Sequence, residues 1–87
     1  MNKIFISNHI KAEILYVCGL PISKPYNLRG QLTLSAIGYE KDRELCRRLE
    51  LSLQNIAATY NTGRIITPGI VFEDLTVSEC IRLVIAE

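Results

Sequence analysis

The stretch 39–60, YEKDRELCRRLELSLQNIAATY, constrains this chain most, because it is the longest segment with a helical period. Leu45, Leu49, Leu53, Ile56 and Tyr60 recur at steps of four, four, three and four, so a helix places them on one face. About 21 residues at 1.5 Å each make a rod of roughly 30 Å, enough to cross a small domain. Gly38 is an acceptable N-cap, and Glu40, Asp42 and Glu44 put negative charge in the first turns, where the helix dipole favours it. Asn61 and Gly63 suit the left-handed conformation that closes a helix. Burial of the Leu/Ile stripe supplies most of the stability, at about 1.5–3 kcal/mol per fully buried side chain.

The rest of the chain is short and expected to pack against that face. Its 87 residues suit one domain. With 48% hydrophobic and 22% charged residues, the composition argues for a compact fold and leaves apolar surface for a partner. Ten Lys and Arg against nine Asp and Glu give no basic excess of the kind that marks a protein living on nucleic acid. No apolar run reaches the roughly 18 residues of a membrane span. Ser7, Asn8, His9 and Lys11 interrupt the first apolar run too early for a signal peptide, which points to the cytoplasm. Cys18, Cys46 and Cys80 are odd in number, widely spaced and without a C-x-x-C. They fit small buried hydrophobes in a reducing compartment better than disulfides or zinc ligands.

In chain order, residues 3–7, KIFIS, form a short β-type run. Residues 9–18 suit either helix or strand. Asn8 as cap, Ile10, Ile14 and Val17 on one face, and Gly19 with Pro21 as stop favour helix, whereas EILYVC is rich in strand formers. Residues 20–30 are a loop restricted by Pro21 and Pro25. Residues 31–37, QLTLSAI, alternate as a half-buried strand, suited to a sheet edge or an antiparallel pair. Residues 64–72, RIITPGIVF, form another strand, in which Pro68-Gly69 marks an edge, a bulge or a break. Thr76 to Glu79 is a capping box, with Leu75 and Cys80 as a hydrophobic staple, and opens a final helix over 77–86. The order implies an α/β or α+β fold: a small two-layer sandwich of three to four strands, one long central helix and a C-terminal helix.

The catalytic inventory is poor. His9 is the single histidine, without a Ser or Cys partner at a recognisable spacing, and scattered cysteines make no believable metal set. Glu73 and Asp74 are adjacent, so an extended backbone points them apart. The five glycines form neither a dinucleotide fingerprint nor a phosphate loop. The expectation is a chain that acts by binding, without catalysis, cofactor or metal. Candidate contact residues are Arg43, Arg47 and Arg48 on the long helix, of which Arg43 and Arg47 share a face. Interleaved Glu40, Asp42, Glu44 and Glu50 equally make that segment a solvated, ion-paired face. Lys24, Tyr26 and Arg29 in the loop are further candidates. The last helix is apolar almost all round, so Val77, Ile81, Leu83, Val84 and Ile85 are expected at an interface, most simply a homodimer.

Two local resemblances add expectations. Residues 66–72, ITPGIVF, resemble the strand that follows a cis proline in thioredoxin-like domains, with KIFIS as that fold's opening strand. Residues 7–10 hold no cysteine, so the resemblance implies no redox role. Residues 75–83, LTVSECIRL, are similar to the second-helix opening of ribbon-helix-helix repressors and antitoxins, which would make Gln31, Thr33 and Ser35 a DNA-reading strand. The intervening 61–74 is longer than that family's tight turn. The favoured expectation is an inhibitor, adaptor or regulatory subunit of the kind bacteria and their mobile elements encode, binding another protein. A DNA-binding regulator is the alternative, and a thioredoxin-like domain without redox cysteines a weaker one.

Overall fold

The computed structural model describes residues 3–21, 28–40 and 42–85. Among them the fold is helical: α1 (Lys3–Val17), a π-helical turn (Ser35–Tyr39), α2 (Arg43–Thr59) and α3 (Val77–Val84). No strand or sheet forms among the described residues; one isolated antiparallel bridge, Thr33 to Thr76, is what remains of the expected sandwich. The α/β expectation is therefore corrected to an all-helical fold.

The expected strand 3–7 is instead the start of α1. Ile6, Ile10, Ile14 and Val17 are all buried, so the helical stripe reaches back four residues before Ile10 and settles the ambiguity of 9–18 as well. The β-branched isoleucines that suggested a strand are the side chains this helix buries. Gly19, at φ +81°, closes it with a paired cap: its N–H bonds the Tyr16 carbonyl at 3.0 Å and the Leu20 N–H the Leu15 carbonyl at 2.9 Å.

Helix α2 buries Leu49, Leu53 and Ile56 as the stripe requires, with Leu45 and Tyr60 half-buried. Its cap is Asp42, whose carboxylate accepts the Leu45 N–H at 3.1 Å, not Gly38. Gly38 lies inside the π turn at φ +142°, a conformation that side chains rarely adopt. At the far end Asn61, φ +53°, makes the same cap as Gly19, with the Thr62 N–H on the Ala57 carbonyl at 3.0 Å. Phe5 and His9 of α1 meet the Tyr60 ring edge-on, whereas the Tyr39 hydroxyl just before α2 reaches Ile14. The two helices thus run antiparallel.

The expected strand 31–37 does not form; the segment meets residues 75–77 through a single isolated bridge. Leu34 N–H donates to the Leu75 carbonyl at 2.8 Å, and Val77 N–H to the Leu32 carbonyl at 2.9 Å. Thr33 then captures the following backbone, its carbonyl and hydroxyl both accepting from the Ala36 N–H, and the chain coils into the π turn. The capping box of α3 forms as expected: Thr76 Oγ1 accepts from the Glu79 N–H and Glu79 Oε1 from the Thr76 N–H, each at 3.1 Å. The helix ends at Val84; Ile85 is already extended.

The π turn delivers Tyr39 fully buried into the core, its hydroxyl donating to the Ile14 carbonyl at 2.6 Å. Tyr39→Phe is expected to cost about 1 kcal/mol, the net worth of one buried hydrogen bond. A lowered urea midpoint with an unchanged slope checks it.

Candidate binding groove

The segment 64–72 is neither strand nor loose loop, and its placement builds the site. Three polar residues of α2, Arg47, Glu50 and Gln54, follow one another at steps of three and four and so share a face beside the apolar stripe. Gln54 Oε1 accepts the Ile66 N–H at 2.8 Å. Glu50 Oε2 accepts the N–H groups of Gly69 and Val71, both at 2.9 Å. Arg47 donates to the Val71 carbonyl at 2.9 Å and lies 3.4 Å from the other Glu50 oxygen. The backbone bonds that a sheet would have supplied are thus made by side chains. Pro68-Gly69 forms a tight turn, with the Ile70 N–H on the Thr67 carbonyl and Gly69 at φ +92°, which reserves that position for glycine. No peptide bond among the described residues is cis, so the thioredoxin-like expectation fails here as well as at KIFIS.

Clamped this way, residues 71–74 form the second wall of an open groove of about 850 Å³ facing the start of α2. Tyr39, Cys46 and Val71 are its buried lining; Asp42, Arg43 and Arg47 line it from α2, and Phe72, Glu73 and Asp74 from the opposite wall. Phe72 is 50% exposed, a large apolar side chain left at the rim.

Burial favours the protonated form of the groove's thiol. Desolvation raises Cys46 above the ordinary thiol range, although the Arg47 guanidinium pulls the other way. Tyr39 is raised by burial first and by the surrounding thiols second. Cys80 is pushed by burial from 9.0 up to about 12. The unfolded chain therefore releases this proton above pH 9 while the folded chain holds it. The stability contribution is complete below pH 9 and is lost as pH rises from there toward 12, by up to about 1.4 kcal/mol per pH unit for one group. Cys80→Ala should make the fall in unfolding free energy above pH 9 shallower, measured against its own value below pH 9.

The expected site residues separate. Arg43 and Arg47 come together in the groove; Arg47 is half committed to Glu50 and Val71, and Arg48 is exposed outside the lining. Arg29 is exposed and not part of the groove, and Lys24 and Tyr26 lie outside the described residues. Val77, Ile81, Val84 and Ile85, expected at an interface, are buried within the chain, and Leu83 is half-buried. His9 shares a 3.0 Å hydrogen bond with the Tyr60 hydroxyl, a packing role. The DNA-reading strand expected at Gln31, Thr33 and Ser35 does not form. Among the described residues no group of three or more His, Cys, Asp or Glu is placed to hold a metal ion, and no helix is long and apolar enough to cross a membrane.

Sequence reasoning missed Glu50, grouped above with the solvated acids, and Phe72. The signal for Glu50 was present: Arg47, Glu50 and Gln54 repeat the helical period beside the apolar stripe, Glu50 and Gln54 each one residue after a stripe leucine. The architecture defines a class, a small antiparallel helical domain with a side-chain-clamped extended segment beside an open groove. No protein-family model, curated protein or solved structure matches the chain.

Proposed function

We propose that this chain is a non-catalytic interaction module, an inhibitor, adaptor or regulatory subunit, whose groove takes a segment of another protein. The observation that carries the reading is the half-exposed Phe72 beside a buried apolar lining, opposite the exposed Arg43. An apolar side chain of the partner fills the groove against Cys46 and Val71, Phe72 covers it, and an acidic neighbour meets Arg43. The protonated thiols support binding over nucleophilic chemistry. Three free cysteines suit a reducing, cytoplasmic setting.

A photo-crosslinking phenylalanine analogue at position 72, with Asn55 on exposed α2 surface as the control position, tests this in nuclease-treated lysate. Protein adducts at 72, absent at 55 and lost with Arg43→Glu, are expected. Adducts equal at both positions, or adducts at 72 that are nucleic acid, contradict the reading.

A further inference from the structure

A second cleft lies where the start of α1 meets the end of α3. Its volume is about 340 Å³, and Ile81 and Ile85 of α3 are among its lining residues. These two are only 8% and 4% exposed, so they are recessed, while Ile4 stands at the rim with 75% of its surface in solvent. Ser7 and Asn8 line the α1 side between Lys3 and Lys11. Both ionisable lining groups are lysines, and the one acid of α1, Glu13, lies outside the cleft. Among the described lining residues the charge is thus of one sign.

We infer that this cleft docks an acidic amphipathic helical segment of a partner protein. Lys3 and Lys11 are eight residues apart on one helix, about 12 Å along its axis. Two acids seven residues apart on a partner helix span about 10.5 Å, which flexible lysine side chains match. An apolar residue between those acids meets Ile4 and enters toward Ile81. The recessed isoleucines favour this occupant over a flat anionic bilayer, which cannot follow a concave surface. They also favour it over a phosphate backbone, which offers nothing apolar to them. Because α1 and α2 are antiparallel, the cleft lies at the opposite end of the helix pair from the groove beside Phe72, so the inference stands independently of that site. Occupied together, the two would make the domain an adaptor between two segments.

The test is an amide-shift titration of the full isotope-labelled chain with two synthetic helical peptides. One carries Glu pairs seven residues apart flanking leucines; the other has each Glu replaced by Gln. The Glu peptide is expected to move the amides of Lys3, Ser7, Asn8, Lys11, Ile81 and Ile85. Lys3→Glu with Lys11→Glu should weaken it by about tenfold, as should Ile4→Ser, with the circular dichroism spectrum of each variant unchanged; Phe72→Ala should leave it unaltered. Equal binding of both peptides, no shift at these residues, or shifts produced only by phosphatidylglycerol vesicles or an oligonucleotide would overturn the inference.

Discussion

Leu53→Ala is expected to lower the free energy of unfolding by about 2–5 kcal/mol, and Leu49→Ala by a similar amount. Both side chains are fully buried at the centre of α2, the helix that contacts α1, α3 and the π turn. Each truncation removes transfer free energy and leaves a cavity that neighbouring helices cannot close without moving. A domain of this size has roughly 4–13 kcal/mol in total, so either change should take it close to unfolding. Urea midpoints unchanged in both variants would mean that α2 is not the core element.

The second large effect is expected at Glu50. Glu50→Ala should cost about 2–4 kcal/mol, because hydrogen bonds to a charged acceptor are worth more than neutral ones and a buried donor left unpaired adds its desolvation cost. Val71 is fully buried, so its N–H loses the carboxylate with no water to replace it. Gly69 is exposed and its N–H can be rehydrated, which keeps the effect from doubling. Glu50→Gln keeps an acceptor in place and should cost less than half as much. Because residues 71–74 form one wall of the groove, the alanine variant should also lose the crosslink at position 72 at temperatures where it remains folded. Thermal and urea unfolding of both variants check the stability order; equal stability of alanine and glutamine variants would contradict it.

What could be read from the residues was local. The α2 stripe, the left-handed closures at Gly19 and Asn61, and the Thr76–Glu79 capping box each depend on neighbours within one or two turns, and each is present. The sandwich failed because KIFIS, QLTLSAI and RIITPGIVF carry strand-forming composition whose outcome was decided elsewhere in the fold. KIFIS joined a stripe that begins at Ile6. QLTLSAI was turned by the Thr33 hydroxyl. RIITPGIVF met Arg47, Glu50 and Gln54 in place of a neighbouring strand. Of the candidate site, Arg43 and Arg47 were legible as a pair on one helix face. The opposite wall was not, because it depends on a carboxylate buried 21 residues away from the N–H it holds. The apolar face of α3 was legible as apolar; that the chain itself covers it follows only from the packing of α1 and α2 around it.

Polar side chains of α2, and not a sheet, hold residues 66–71 in place. Native-state hydrogen exchange at the Val71 amide tests it most directly. In the wild type this amide should be protected nearly as well as those in the middle of α2. In Glu50→Ala its protection should collapse while the amides of Leu49 and Leu53 retain most of theirs. A Val71 amide that exchanges freely in the wild type, or that stays protected in Glu50→Ala, would contradict the account.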